Sequence, residues 1–465
     1  MINKDHQIFE DVPAKGKNRY HSAILTTYSL DLINFDSKEL RALHRKQITS
    51  VNIIADQKQL NKAMDVVCID HLSNLGQRYA VDGIQSIGAF HPKINFFVGN
   101  ESAMVILGSG NLTVPGHGKN HELFTGFMID SDQKEDGGIY MLIQECWQYI
   151  KRFANKCSKY TIHRICEEIP HYCSVLENDG SLFADNVHAL YDVGENLSAA
   201  LLYNDNSSSI LSQVFSHIPS EEVKEITILS PFFDENGEAI ITLANICNNA
   251  KVSVLLQKNC CLPPNKIQNH PRISFYDFDA TERGQKSSLS GNKDYHIRLH
   301  AKLLHFRTDT EEFCIVGSAN ATIAGLGTLA QRGINEEFCV LYSSPTVKFL
   351  KELGISKKTA SVINVTSLTR QSDSFDAESL LHVRLYNAEY SYKHLCISYD
   401  GIRSMTNYRL VINQSNAEEI EIPSVFDDSG YKAFDIVLKE KPCSCVLYNS
   451  EGLQVSNIVI INKTD

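Results

Sequence analysis

Residues 91–113 read HPKINFFVGNESAMVILGSGNLT, and residues 300–322 read HAKLLHFRTDTEEFCIVGSANAT. Laid over each other they agree in His-x-Lys, in Gly-Ser-x-Asn-x-Thr, and in the number of residues between the two. His91 and His300 are 209 positions apart, as are Asn111 and Asn320, so neither copy carries an insertion. Internal repetition at this spacing is the signature of a duplicated unit.

The repeat extends in both directions. Downstream, Asn120-His121-Glu122 is echoed by Asn335-Glu336-Glu337, and each runs into an apolar stretch, LFTGFMI or FCVLY. Upstream, SAILTTYSLD and ITSVNIIAD are echoed by ITILSPFFD and KVSVLLQ, with Asp31 and Asp234 offset by 203. Between the members of each pair lies a helical stretch. The first opens with Asp36 and Glu39 in capping-box relation, and the second aligns Ile240, Leu243, Ala244 and Cys247 on one face. Strands alternating with helices predict two similar α/β lobes, each around a largely parallel sheet. GIYMLIQECWQYIKRF places Trp147 in an apolar helical stripe that closes the first lobe. From about residue 355 the texture changes to short alternating strands, among them LCISYDG, YRLVINQ, EIEIPS, DIVLKEK, SCVLYNS and NIVIIN. That pattern predicts an antiparallel β-sandwich. The expected organisation is a first lobe over 1–170, a second over 171–350 and a β domain over 355–465, the lobes being related by a pseudo-twofold axis with one shared site.

The whole chain fits this division. Its 465 residues exceed one ordinary domain, and 43% hydrophobic with 21% charged residues is an ordinary globular composition. No apolar run is long enough to span a bilayer, and the first residues lack a signal-peptide core, so the expected address is the cytoplasm, away from membranes. Thirteen cysteines without a CxxC pair read as buried thiols. Cys260 with Cys261, and Cys443 with Cys445, lack a second pair at finger spacing, so neither a structural metal nor a cofactor is expected. A net charge of −11 argues against coating nucleic acid through bulk positive charge, though it leaves room for a basic cleft.

In an extended chain, His and Lys two residues apart share a face, so each motif presents an imidazole and an ammonium together. Two such sets meeting would gather His91, His300, Lys93, Lys302, Asn111 and Asn320 around one small volume. That volume suits a phosphodiester attacked in line: the lysines and asparagines stabilise equatorial charge, one imidazole attacks, and the other supplies a proton. Ser109 and Ser318 would support by hydrogen bonds, and Glu122 and Glu337 would each fix the tautomer of a histidine. If the substrate is a polyanion, Arg283, Lys286, Lys293 and Arg298, just upstream of His300, would meet its flanking phosphates.

The paired motif resembles that of the phospholipase D superfamily over roughly residues 20–345. The resemblance implies two α/β lobes with the active site between them, and metal-free phosphodiester cleavage through a covalent phosphohistidine. It also implies His91 as nucleophile and His300 as acid. The family pattern usually carries an Asp five residues after the Lys; Val98 and Arg307 stand there, which puts the subfamily in question. The GSGNLT and GSANAT wording is similar to that of soluble prokaryotic nucleases, some of them restriction or phage-defence enzymes with an added β domain. The expectation is therefore a DNA endonuclease, with a helicase or ATPase of a defence system as a conceivable partner and a homodimer among the open oligomeric states. A phospholipid or other phosphodiester substrate is the alternative, and a non-catalytic binding subunit that kept the fold is the second.

Overall fold

The computed structural model describes residues 9, 12, 20–65, 72–118, 120–130, 137–176, 187–260, 262–288, 297–355, 361–370, 383–416 and 418–463. It is a mixed α/β fold with four sheets. The first contains β1 (Ser22–Thr27), β2 (Ser50–Asp56), β3 (Tyr79–Ile84), β4 (Ile94–Val98), β5 (Ser102–Gly108) and β6 (Phe124–Asp130), in the order β3, β2, β1, β4, β5, β6. The second contains β7 (Tyr191–Asp192), β8 (Ser198–Tyr203), β9 (Glu225–Leu229), β10 (Lys251–Leu256), β11 (Ile273–Asp277), β12 (Leu303–Arg307), β13 (Glu312–Gly317) and β14 (Phe338–Ser344). Its order β11, β10, β9, β12, β13, β14 repeats that of the first sheet strand for strand, and β8 and β7 extend it beyond β14.

Neither sheet is largely parallel, contrary to the sequence expectation. Only β1, β2 and β3, and their counterparts β9, β10 and β11, run parallel; β4, β5 and β6 and β12, β13 and β14 are antiparallel. Loop length accounts for two of the antiparallel pairs, β4 with β5 and β12 with β13. A parallel crossover needs a dozen or more residues, and the turns after Val98 and Arg307 are far shorter. Helix entry also differs: Asp31, not Asp36, caps the first helical stretch by accepting from Asn34 N, while Asp36 accepts from Asn74.

Alternation along the central strands divides the cores. Val105 and Leu107 of β5 and Cys314 and Val316 of β13 point into one apolar cluster shared by both sheets, where Trp147 is fully buried. Met104 and Ile106 face a second cluster under the helices of the first sheet, and Phe313 and Ile315 a third under those of the second. The two sheets are therefore joined by apolar contact as well as by chain connectivity. The cysteines among the described residues are mostly buried, and no described helix is long and apolar enough to cross a membrane.

Residues from two four-stranded sheets form the fourth cluster. One sheet orders β19 (Tyr431–Asp435), β16 (His394–Asp400), β15 (Arg384–Ser391) and β22 (Asn462–Lys463). The other orders β18 (Glu419–Phe426), β17 (Thr406–Gln414), β20 (Pro442–Tyr448) and β21 (Val459–Ile460). The strand expected over DIVLKEK is displaced: β19 ends at Asp435, and the apolar residues that follow lie outside any strand. The boundary near residue 355 also shifts. Ile363 and Val365 pack in the cluster of the second sheet, and the Arg370 guanidinium donates to the carbonyls of Phe233 and Pro263. The chain returns to the first sheet at its end. Ile460 is 3% exposed within that sheet's cluster, Lys463 N donates to Gly76 O at 3.1 Å, and a Cβ at Gly76 would meet Ile461 O at 2.6 Å.

Ile460 thus belongs to the stability of the first half. Ile460→Ala should cost about 2–5 kcal/mol in chemical denaturation. Val437→Ala, at an exposed position, should change stability by less than about 0.5 kcal/mol.

Candidate active site

Each His-x-Lys lies in an extended segment just ahead of a strand rather than within one. β4 begins at Ile94 and β12 at Leu303. The pairing partner of each segment comes from the other half. His91 N donates to Glu336 O at 2.9 Å and Glu336 N to Ala89 O at 2.9 Å, which makes Phe90 and Glu336 a parallel bridge. The mirror arrangement joins His121 to Leu299: His121 N donates to Arg298 O at 2.9 Å, and His300 N to His121 O at 3.0 Å.

These bridges carry the side chains across as well. Glu337 follows Glu336, and its Oε2 is 2.8 Å from His91 Nδ1. Glu122 follows His121, and its two oxygens lie 2.8 and 3.1 Å from His300 Nδ1. Each carboxylate holds the histidine of the opposite half. Within its own half each is fixed by the Gly-Ser turn: Ser109 Oγ donates to Glu122 and Ser318 Oγ to Glu337. Asn120 and Asn335 each donate to the remaining oxygen of the neighbouring glutamate at 3.2 Å. The motif glycines have a steric reason. A Cβ at Gly108 would meet Leu123 O at 2.1 Å, and one at Gly317 would meet Phe338 O at 2.4 Å. Those two carbonyls accept from Ser109 N and Ser318 N, each at 3.0 Å.

Both lysines are 2% exposed. Lys93 Nζ donates to His91 O at 2.8 Å, and Lys302 Nζ to His300 O at 2.6 Å; Lys302 Nζ also sits 3.2 and 3.3 Å from the two ring nitrogens of His300. Asn111 and Asn320 follow the Gly-Ser turns at the same edge, and Asn320 Oδ1 has no hydrogen-bond partner among the described residues. Two residues that sequence reasoning overlooked hold these asparagine loops. Thr27 Oγ1 accepts from Leu112 N at 3.0 Å, and Ser230 Oγ accepts from Ala321 N at 3.2 Å.

The surroundings differ between halves. The Tyr28 ring lies 5.1 Å from His91 and 5.8 Å from Lys93 Nζ. Phe232 lies 6.2 Å from His300, with the guanidinium of the exposed Arg298 over the Phe232 ring at 5.8 Å. Of the four basic residues expected near substrate, Arg298 and Arg283 have described side chains, and Arg298 lies over the Phe232 ring. Arg283 donates instead to Glu122 O at 3.1 Å and so braces the backbone of that glutamate. Lys293 and the side chain of Lys286 lie outside the described residues. His117 is buried against Phe9, and His305 pairs with Glu312 at 3.0 Å. Among the described residues no group of three or more His, Cys, Asp or Glu is arranged to hold a metal ion.

Burial dominates the protonation equilibria. It pushes His91 down to about 4, with Lys93 and Lys302 adding to the effect and Glu337 opposing it. His300 moves down for the same reason, opposed by Glu122. Burial brings Lys302 down to about 8 despite Glu122 and Glu337, and lowers Lys93 further below the usual lysine range with help from Lys302. For the carboxylates burial works upward, yet His300, Lys302 and Ser109 hold Glu122 below its usual value, and His91, Lys93 and Ser318 do so for Glu337. These directions favour neutral imidazoles and ionised carboxylates near neutral pH.

A histidine held neutral in the folded chain makes the unfolded chain take up its proton first. His91 alone therefore contributes a loss of about 3 kcal/mol as pH drops from about 6.5 towards about 4, while Glu145, which burial pushes up to about 8, contributes in the opposite direction. Across that range the urea midpoint of the parental protein should lose ground relative to that of His91→Gln as pH falls.

A scan of protein-family models finds no match to the chain, and a search of curated proteins finds no match either. Among solved structures the chain is similar to yeast tyrosyl-DNA phosphodiesterase, at 14% identity over 73% of this chain and 86% of that one, with a TM-score of 0.47. It is also similar to polyphosphate kinase from Porphyromonas gingivalis, at 10% identity over 74% of this chain and 46% of that one, with a TM-score of 0.37. The phospholipase D family member Nuc from Salmonella typhimurium is 15% identical over 36% of this chain and 98% of its own, with a TM-score of 0.23.

Proposed function

We propose that the protein is a phosphodiesterase, and specifically a DNA endonuclease of the restriction or phage-defence type, built from two pseudo-twofold-related lobes that share one site. The C-terminal sheets would then be an accessory β-sandwich. The observation that carries this reading is the crossed pair of His–Glu contacts: His91 with Glu337 and His300 with Glu122, each at 2.8 Å, with a buried lysine beside each ring.

With Nδ1 held by a carboxylate, each imidazole turns Nε2 to the chemistry, that of His300 lying 3.3 Å from Lys302 Nζ. In the proposed reaction, His91 Nε2 attacks phosphorus, an N–P bond forms and the P–O bond to the leaving group breaks. A protonated His300 gives its proton to the departing oxygen. Water then attacks the phosphohistidine with His300 as general base, which breaks the N–P bond and restores both rings. Glu337 stabilises the positive charge that His91 gains on attack, and the Lys93 and Lys302 ammoniums stabilise the equatorial phosphoryl oxygens. An anionic diester also favours the protonated forms of His300 and of both lysines, which counters the downward pressure of burial. Arg298, exposed beside the Phe232 ring, suits a flanking phosphate of a polynucleotide.

Plasmid and single-stranded DNA incubated with the protein in excess chelator should be cleaved, and His91→Ala or His300→Ala should lower the rate by at least about a thousandfold while the fold persists. Near-parental cleavage by either variant would overturn the shared site. Arg298→Ala should weaken DNA binding and reduce the slope of log affinity against log salt by about one unit or less.

A further inference from the structure

Two buried side chains outside the repeated motifs occupy matching positions. Asp56 ends β2, and Gln257 directly follows β10. The register makes them equivalent: Thr27 lies beside Ala55, Leu229 beside Leu255, and Thr27 and Ser230 play the same part in holding the asparagine loops. Asp56 Oδ2 accepts from Phe90 N at 2.9 Å, and Gln257 Oε1 accepts from Leu299 N at 2.6 Å. Phe90 and Leu299 are the residues immediately ahead of His91 and His300, and they are also the residues that form the bridges to the opposite half.

The two acceptors are otherwise unlike. The second oxygen of Asp56 accepts from Lys58 N and Gln59 N at 3.0 and 3.1 Å, so three backbone donors favour its carboxylate form against burial, which pushes the group above its usual range. Gln257 is neutral, and its Nε2 is committed to Asp279 at 2.8 Å and Ile297 O at 2.9 Å, which aims its oxygen at Leu299 N.

We propose that Asp56 and Gln257 are paired positioning residues, each fixing one His-x-Lys segment through the backbone N–H ahead of its histidine, and that only Asp56 adds a negative charge behind its lysine. This inference rests on the reading of the site as a phosphodiesterase centre and makes that centre electrically unequal. Lys93 faces Lys302, Glu337, Glu122 and Asp56, with His91 on its own segment and Cys339 across from it. The carboxylate of Asp56 favours its ammonium form, and burial and Lys302 oppose it. Lys302 has Arg298 nearby instead, which acts in the other direction. The His91 half therefore draws on Asp56, after Glu337 and Glu122, for part of the support that favours its ammonium, and the His300 half takes from Gln257 only its geometry.

The test compares Asp56→Asn, Asp56→Gln and Gln257→Ala in the full chain, with bis(p-nitrophenyl) phosphate as the probe and thermal unfolding as the check on folding. Each variant should lower kcat by about tenfold or more, because a displaced histidine loses its in-line geometry. In the Asp56 variants the alkaline limb of kcat against pH should also move to lower pH by about half a unit or more; in Gln257→Ala it should stay in place. Direct titration of Lys93 Nζ by nitrogen-15 NMR should show the same displacement in whichever Asp56 variant folds. Unmoved Lys93 titration and unmoved kcat in the Asp56 variants would overturn the inference. A parental protein inert towards the probe and towards nucleic acid would count against the phosphodiesterase reading, and the Lys93 titration would still decide whether Asp56 sets the charge of that half.

Discussion

Everything at the site depends on two short parallel bridges, Phe90 with Glu336 and Leu299 with His121, that tie each histidine segment to the opposite half. Backbone pairing fixes the distance between segments far more tightly than side-chain packing can, because each bridge is held by directional hydrogen bonds. Once the bridges form, the next residue along each partner segment is a glutamate, and it lands on the facing imidazole. The shared apolar cluster between the sheets supplies the adhesion, and the bridges supply the registration.

The same arrangement explains how two lysines, two histidines and two glutamates can be buried together. An unpaired charge in such a place would be costly, and burial does lower both lysines and both histidines. The crossed carboxylates offset that cost because each is within reach of a ring and a lysine and is anchored by a serine hydroxyl.

The sequence made the duplication legible because His-x-Lys and Gly-Ser-x-Asn recur where packing alone gives no reason for them, and because no insertion disturbs their spacing. Glu122 and Glu337 were visible through the repeated Asn-x-Glu. Their crossing was not, since His91 and Glu337 are 246 positions apart and nothing local distinguishes a carboxylate that serves its own half from one that serves the other. Thr27 with Ser230 and Asp56 with Gln257 escaped notice because the members of each pair differ in type and sit at strand ends, where an acceptor of any kind can meet a free backbone N–H. Arg283 misled in the opposite way. A basic residue near a motif reads as a phosphate contact, yet its guanidinium braces a carbonyl. The alternating texture from about residue 355 announced β structure, but not the return of Ile460 into the first half.

The most direct test of the proposed account is covalent. His300→Asn protein, mixed with an oligonucleotide or an activated phosphodiester and quenched at alkaline pH, should retain one phosphoryl adduct per chain, and peptide mapping by mass spectrometry should place it on His91. Turnover by the parental protein with no adduct on either histidine, in this variant or in His91→Asn, would contradict the account.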